Sequence, residues 1–120
     1  LAYANQNHLP VAAVRNRAGN FVMPTLGSTT AAAAGIELPA NSDLRLSIVN
    51  GAGADAYPIS SFTWIIVYQQ MRDREKARQI ADFLTWAIHD GQRFAAALDY
   101  APLPAAVVAA NEAKIRMIQR

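Results

Sequence analysis

Glycines and hydroxyl side chains in the middle of the chain are the residues whose types could bind an anion. Gly51 and Gly53 lie in the loop Asn-Gly-Ala-Gly-Ala-Asp, and Ser60, Ser61 and Thr63 follow it. Glycines let backbone N–H groups approach an oxyanion closely, and hydroxyl groups can donate to it. An anion loop normally leads into a helix, whereas this loop leads into Ala-Tyr-Pro and an apolar run. We therefore interpret the loop as a connector, with the anion loop as the alternative.

Two interpretations are also open for the hydroxyls. Ser60, Ser61 and Thr63 could present donors to a binding cleft. Ser60 and Ser61 could equally satisfy backbone groups of the turn before a strand. Together with Gly51 and Gly53, these three residues are the candidate substrate-binding residues of the sequence.

Residue types that carry catalysis or bind metals are sparse. The chain has no cysteine, which excludes thiol catalysis and cysteine-based zinc sites within it. His8 and His89 have no partner at metal-binding spacing, and the aspartates form no acid–base pair. No serine stands in a Gly-x-Ser-x-Gly setting. We therefore predict that the chain is not an enzyme and has no catalytic residue, metal site or cofactor.

Composition indicates one globular unit. The chain has 120 residues, of which 52% are hydrophobic and 17% charged, with a net charge of +2. Its densest basic group, Arg72 to Arg78, is mixed with Asp73 and Glu75, which is typical of a solvated helix start and not of a nucleic-acid surface. Residues 1–20 lack the pattern of a signal peptide, and no apolar run approaches the roughly 18 residues of a membrane span.

The elements that must position these residues follow from turn signals and apolar periodicity. Asn16–Asn20 predicts a tight turn, Thr25 an N-cap, Gly35 a left-handed helix end and Gly91 the end of a second helix. The predicted helices are Leu1–His8, Thr25–Ala34, Asp73–His89, Gln92–Leu98 and Ala105–Gln119; the predicted extended segments are Val11–Arg15, Phe21–Met23, Leu44–Val49 and Phe62–Tyr68; and Ile36–Asp43 is a predicted loop.

Phe62–Tyr68 is rich in aromatic and β-branched residues and has no polar face around its centre. Such a strand is typical of the centre of a sheet that is covered on both sides, so we expect Trp64 and Trp86 in the core, with a role at a hinge or interface as the alternative. The covering helix would bury one apolar face, made of Ile80, Phe83, Leu84, Ala87 and Ile88. With so few strands, the sequence looks like part of a larger sheet. The predicted fold class is α/β, a partial lobe with few strands and a helical C-terminal third.

Several motifs together resemble a known family. They are Asp55–Ile59, the run Phe62–Tyr68, the helix centre Phe83–Ala87, the pair Gly91–Gln92 and Leu98–Pro104, in that order. This pattern resembles the C-terminal third of the substrate-binding protein of phosphate ABC transporters, in the type II periplasmic binding protein superfamily. Residues 1–35 resemble the stretch just upstream in the same family.

The resemblance implies a two-lobed, periplasmic or surface-anchored receptor that traps inorganic phosphate between its lobes and delivers it to ABC permease subunits. Residues 1–120 would form its C-terminal segment. Residues 1–50 would belong to the second lobe and the connection between lobes, and residues 51–120 would supply the return strand and the C-terminal helices. The phosphate-contacting segments of the family lie upstream, so we expect the 120 residues alone not to bind phosphate tightly.

A second hypothesis is a protein–protein interaction module without ligand binding. An apolar sheet edge without neighbours invites pairing with another chain. We therefore expect this chain to self-associate or to exchange strands, and we expect no nucleic-acid partner.

Overall fold

The computed structural model describes residues 1–39 and 42–118. This part of the chain combines helices with one small sheet, which confirms a mixed helix and strand fold with a helical C-terminal third. Residues 40 and 41 of the predicted loop, and Gln119 at the predicted end of the last helix, lie outside the described residues. The elements are α1 (Ala2–Gln6), β1 (Val14–Arg15), β2 (Phe21–Val22), α2 (Leu26–Ala34), α3 (Arg74–Ile88), two 3-10 turns (Asp90–Phe94 and Ala96–Leu98) and α4 (Ala105–Ile115).

The sheet is a hairpin closed by the predicted turn. β1 and β2 run antiparallel, with Val14 opposite Val22. The Gly19 N–H donates to the carbonyl of Asn16 at 2.9 Å, and the Asn16 N–H donates to that of Asn20 at 2.8 Å. Gly19 has a φ of 92°, a conformation that glycine adopts at little cost.

Helix α2 begins as predicted and ends differently. The Thr25 side chain accepts from the Ser28 N–H, and the Ser28 hydroxyl accepts from the Thr25 N–H, which together form a capping box. The prediction of a left-handed Gly35 was wrong, because its φ is −84°. The left-handed region is instead occupied by His8, Leu44, Asn50 and Asp99, in addition to Gly19.

Helix α3 starts within one residue of its predicted start at Asp73, which is its N-cap, and it buries a narrower face than predicted. The Asp73 carboxylate accepts from the Lys76 N–H at 3.0 Å. The buried residues are Ala77, Ala81 and Leu84, whereas Phe83 is 58% exposed, so its prediction as a core residue was wrong. The small alanines let neighbouring residues approach closely on one side, and Phe83 falls on the outer side.

The chain after α3 is less regular than predicted. Two 3-10 turns replace the predicted helix over residues 92–98, and Asp99 ends the second turn with a φ of 60°. Gly91 does not adopt a left-handed conformation. Pro104 directly precedes α4, where its missing N–H removes no helical hydrogen bond.

Two predicted strands are absent from the described residues. Leu44 has a φ of 64°, which no β-strand allows. The N–H groups of Leu44, Arg45 and Val49 donate to the nearby side chains of Ser42, Asp43 and Ser47, and not to a neighbouring strand. The segment 62–68 makes no hydrogen bond between backbone groups within the described chain. Both predictions were wrong because alternation and composition are local, whereas a strand also needs a partner.

The core predictions for both tryptophans were also wrong. Trp64 is 49% exposed and Trp86 is 43% exposed. Trp86 lies against Phe83 and Phe94, with ring centroids 5.9 and 6.3 Å away, and these two phenylalanines are themselves exposed. Each ring lacks the second layer that would have covered it.

Most of the buried apolar residues in the described part of the chain form two separate clusters. The α2 cluster contains Ala32, Ala33, Ile48 and Ala56, and the α3 cluster contains Ala77, Ala81, Leu84 and Ile118. Phe62 packs on the first cluster and Val67 on the second. Segment 62–68 therefore joins two small cores.

The molecule exposes more surface than a complete domain of its size. Its accessible surface is 8384 Å², whereas a folded monomer of 13.0 kDa exposes about 6,300 Å². Its radius of gyration is 16.1 Å, against about 14 Å for a compact domain of 120 residues. Roughly 2,000 Å² of surface is thus uncovered relative to a complete domain.

Candidate functional site

A cleft with a volume of about 500 Å³ lies beside the α2 cluster, of which Ala33 and Ile48 line it. Its walls come from the start of α1, one side of α2, residues 59–63 and residues 99–103. Ser60, Ser61 and Thr63 all line it, so the structure brings the three predicted hydroxyl residues together at one wall.

Two of these hydroxyls are already used by the backbone. Ser60 is buried and its hydroxyl donates to the Tyr57 carbonyl at 2.8 Å, while the Ser61 hydroxyl donates to the Phe62 carbonyl at 3.2 Å. A hydroxyl has one hydrogen, so each serine can offer the cleft only acceptor lone pairs in this arrangement. Thr63 is exposed at the cleft wall. The serine geometry suits the satisfaction of turn backbone better than the binding of an anion.

Gly51 and Gly53 lie outside this cleft and pack against α2. A Cβ at Gly51 would stand 3.5 Å from the Ala32 carbonyl, and one at Gly53 would stand 3.5 Å from the Ala56 side chain. Neither glycine has a positive φ. These glycines serve a close approach between the loop and the helix.

The loop around these glycines is held by Asn16, a residue that the sequence had indicated only as part of a turn. Its amide Nδ2 lies 3.3, 2.8 and 3.1 Å from the carbonyl oxygens of Gly53, Ala54 and Ala56. The loop thus turns acceptors inward, whereas an anion loop turns N–H donors toward its ligand. No local signal could have found Asn16, because its partners are 37 to 40 positions away.

The family of this chain is shown by individual curated proteins that resemble it in sequence. No family model matches the chain. Curated proteins named phosphate-binding protein PstS do match it: the protein of Xylella fastidiosa strain 9a5c is 36% identical over 113 residues, and that of Pasteurella multocida is 34% identical over 107 residues. These alignments cover 94% and 89% of this chain. A third relative, from Methanocaldococcus jannaschii, is 38% identical over 104 residues, or 78% of this chain.

The chain belongs to the PstS family. It spans about a third of the length of these PstS proteins, since the alignments cover 31%, 31% and 26% of the three relatives. The resemblance that the sequence motifs indicated is therefore confirmed at the level of the family.

Side-chain hydrogen bonds connect the motif segment 99–103 to the two neighbouring helices. The Gln92 amide donates to the Ala87 carbonyl at 3.0 Å and accepts from the Leu103 N–H at 2.8 Å. The Thr30 hydroxyl donates to the Pro102 carbonyl at 3.1 Å. Residues 99–103 are thereby tied both to the end of α3 and to α2.

Charge around the cleft is unfavourable for phosphate. Among the described residues that line it, Asp99 is the only Asp, Glu, Lys, Arg or His side chain. The Asp99 carboxylate accepts from the Asn5 amide at 2.6 Å. A phosphate bound here would meet a carboxylate and no cationic side chain, so the described lining lacks the charge-assisted donors that bind oxyanions.

The histidines and acidic residues form no metal centre in the described part of the chain. His89 Nε2 lies 2.7 Å from Glu112 Oε1, which joins the end of α3 to α4, and His8 is exposed after α1. None of the described helices is both long and apolar enough to cross a lipid bilayer.

Proposed function

We propose that this chain is the C-terminal segment of a non-enzymatic receptor that binds inorganic phosphate outside the cytoplasmic membrane and delivers it to the permease subunits of an ABC importer. The observation that carries the proposal is the match to PstS proteins over 94% of the chain. In this proposal, the receptor is periplasmic or held at the outer face of the membrane.

The phosphate ligands in this proposal lie in receptor segments outside these 120 residues. Two features support that assignment: the cleft lining has one carboxylate and no cationic side chain, and the serine hydroxyls donate to backbone carbonyls. The chain spans about 31% of its relatives, which leaves ample length for those segments.

The chain contributes structure to two lobes in this proposal. In this proposal, the α2 cluster belongs to the second lobe of the receptor. Segment 62–68 then crosses from that lobe to the region that contains the α3 cluster. The loop after residue 50 packs on α2, as the hydrogen bond from the Tyr57 N–H to the Ser28 carbonyl at 3.0 Å illustrates. The proposed division of the chain remains residues 1–50 for the second lobe and the connection between lobes, and residues 51–120 for the return strand and the C-terminal helices.

The test compares two lengths of the protein by calorimetric titration with inorganic phosphate. One form is the 120-residue chain, and the other adds the reading frame upstream of Leu1, about two hundred residues for a two-lobed receptor. We expect the longer form to bind phosphate and the 120-residue chain to give no heat of binding. A longer form that does not bind phosphate, or a 120-residue chain that binds as tightly, would contradict the proposal.

A second candidate function is an interaction module without a small-molecule ligand. The observation that favours it is the exposed apolar segment 62–68, whose Ile66 is 95% exposed. A large exposed apolar patch usually marks a surface that another element covers.

A further inference from the structure

Segment 62–68 has the composition of a strand but no strand partner among the described residues. Its sequence, Phe-Thr-Trp-Ile-Ile-Val-Tyr, contains no proline and no charged residue. Exposed edges of natural sheets usually carry lysine, proline or a bulge, which prevent pairing with another chain. Here Ile65, Ile66 and Tyr68 are exposed, and the backbone makes no hydrogen bond to another backbone group of the described residues.

We propose that two copies of the 120-residue chain pair through segment 62–68 as antiparallel strands, related by a twofold axis at Ile65. A twofold interface uses the same surface on both copies, so the segment must be complementary to itself. In this register Phe62 faces Tyr68 of the second copy, and Trp64 faces its Ile66. Aromatic–aromatic and aromatic–β-branched pairs are among the favourable cross-strand pairs.

The uncovered area agrees with an interface of this kind. Stable and specific interfaces bury about 1,200–2,000 Å² in total, or about 600–1,000 Å² on each partner. Each copy exposes roughly 2,000 Å² more than a complete domain of its mass, which is more than one such interface needs. The segment has no charged side chain that would select a partner of opposite charge. A second copy of the same uncharged segment is therefore a suitable partner.

This dimer does not rest on the proposed receptor function. In a longer chain that supplies neighbouring strands of its own, segment 62–68 would be covered internally. If the longer form does not bind phosphate, the receptor proposal is wrong. The dimer proposal is unaffected by that result, because its test is the mass of the 120-residue chain.

Light scattering on the 120-residue chain tests the oligomeric state. We expect a mass twice the 13.0 kDa of one chain, and dissociation at high dilution. Ile66→Lys should weaken the dimer at least about tenfold, because it places charges in the paired strands. The matched control is Ile59→Lys, a residue that is 70% exposed but lies outside the segment, and it should leave the dimer intact.

A single cysteine tests the register, because the natural chain has none. Directly opposed antiparallel residues have Cα atoms about 4.5–5.5 Å apart, which suits a disulfide. Under mild oxidation, Ile65→Cys should cross-link two copies, and Thr63→Cys should not, because Thr63 faces Val67 of the second copy. A monomer at every concentration, equal weakening by both lysine variants, or equal cross-linking at 63 and 65 would overturn the proposal.

Discussion

Asn16 Nδ2 lies 2.8 Å from the carbonyl oxygen of Ala54, 38 positions further along the chain. The same side chain is buried, and its Oδ1 accepts from the Asn20 N–H at 3.0 Å. One amide therefore fixes the hairpin turn to the glycine loop.

Replacement of Asn16 tests this role. Asn16→Ala leaves the carbonyls of the loop without their donor, so the free energy of unfolding should fall by about 2–4 kcal/mol in urea titrations. The control is Asn20→Ala, which loses one exposed bond to Ala54 and should cost under about 1 kcal/mol. Equal losses in the two variants would show that the buried amide is not special.

The capping box gives a second prediction. The buried Ser28 hydroxyl accepts from the Thr25 N–H at 2.9 Å and lies 2.7 Å from the Met23 carbonyl. Ser28→Ala should lower the free energy of unfolding by about 1–2 kcal/mol, measured by circular dichroism in urea. Thr29→Ala removes an exposed hydroxyl one residue along the same helix and should have a smaller effect. The role of the capping box would be refuted by a Ser28 variant as stable as the natural chain.

Gln92 should control the order of residues 99–103. Gln92→Ala removes both the donor to Ala87 and the acceptor for Leu103, so hydrogen exchange at the Leu103 amide should accelerate about tenfold or more. Gln79→Ala on the exposed side of α3 is the control and should leave that amide unchanged. Unchanged protection of Leu103 in the Gln92 variant would contradict this role.

Two exposed ion pairs predict how stability depends on pH. The Arg78 hydrogen bond lowers the pKa of Glu75, and the Arg45 hydrogen bond lowers the pKa of Asp43. A carboxyl group with a lowered folded-state pKa stabilises the fold above its unfolded pKa, and this stabilisation is lost as pH falls through the folded pKa. The free energy of unfolding should therefore fall slightly from about pH 5 to pH 3, and less so in high salt.

The double variant Glu75→Gln, Asp43→Asn checks the assignment. Its urea midpoint should change less steeply with pH over this range, because two of the titrating groups are gone. An identical pH profile in the variant and the natural chain would exclude these pairs as the cause.

Local signals were sufficient for the starts of helices α2 and α3. Thr25 was recognisable as a cap because the group that it satisfies lies three residues away. The tight turn at Asn16–Asn20 was predictable for the same reason.

Features that depend on distant partners were not predictable. The composition of segment 62–68 suits a strand, yet the segment has no backbone partner among the described residues and forms no strand. Trp64 was expected in the core, but it is exposed. Its indole N–H donates to the Leu44 carbonyl, at a distance of 2.9 Å. Asn16 was missed because its amide could be assigned only once the loop was seen against the hairpin.

Phe62 packs on one cluster and Val67 on the other, and the residues between them are exposed. A protease that cleaves after Trp64 or Ile65 would meet little steric resistance there. Cleavage there would give two peptides that each contain the residues of one buried cluster, so limited digestion would cut this chain between its two cores.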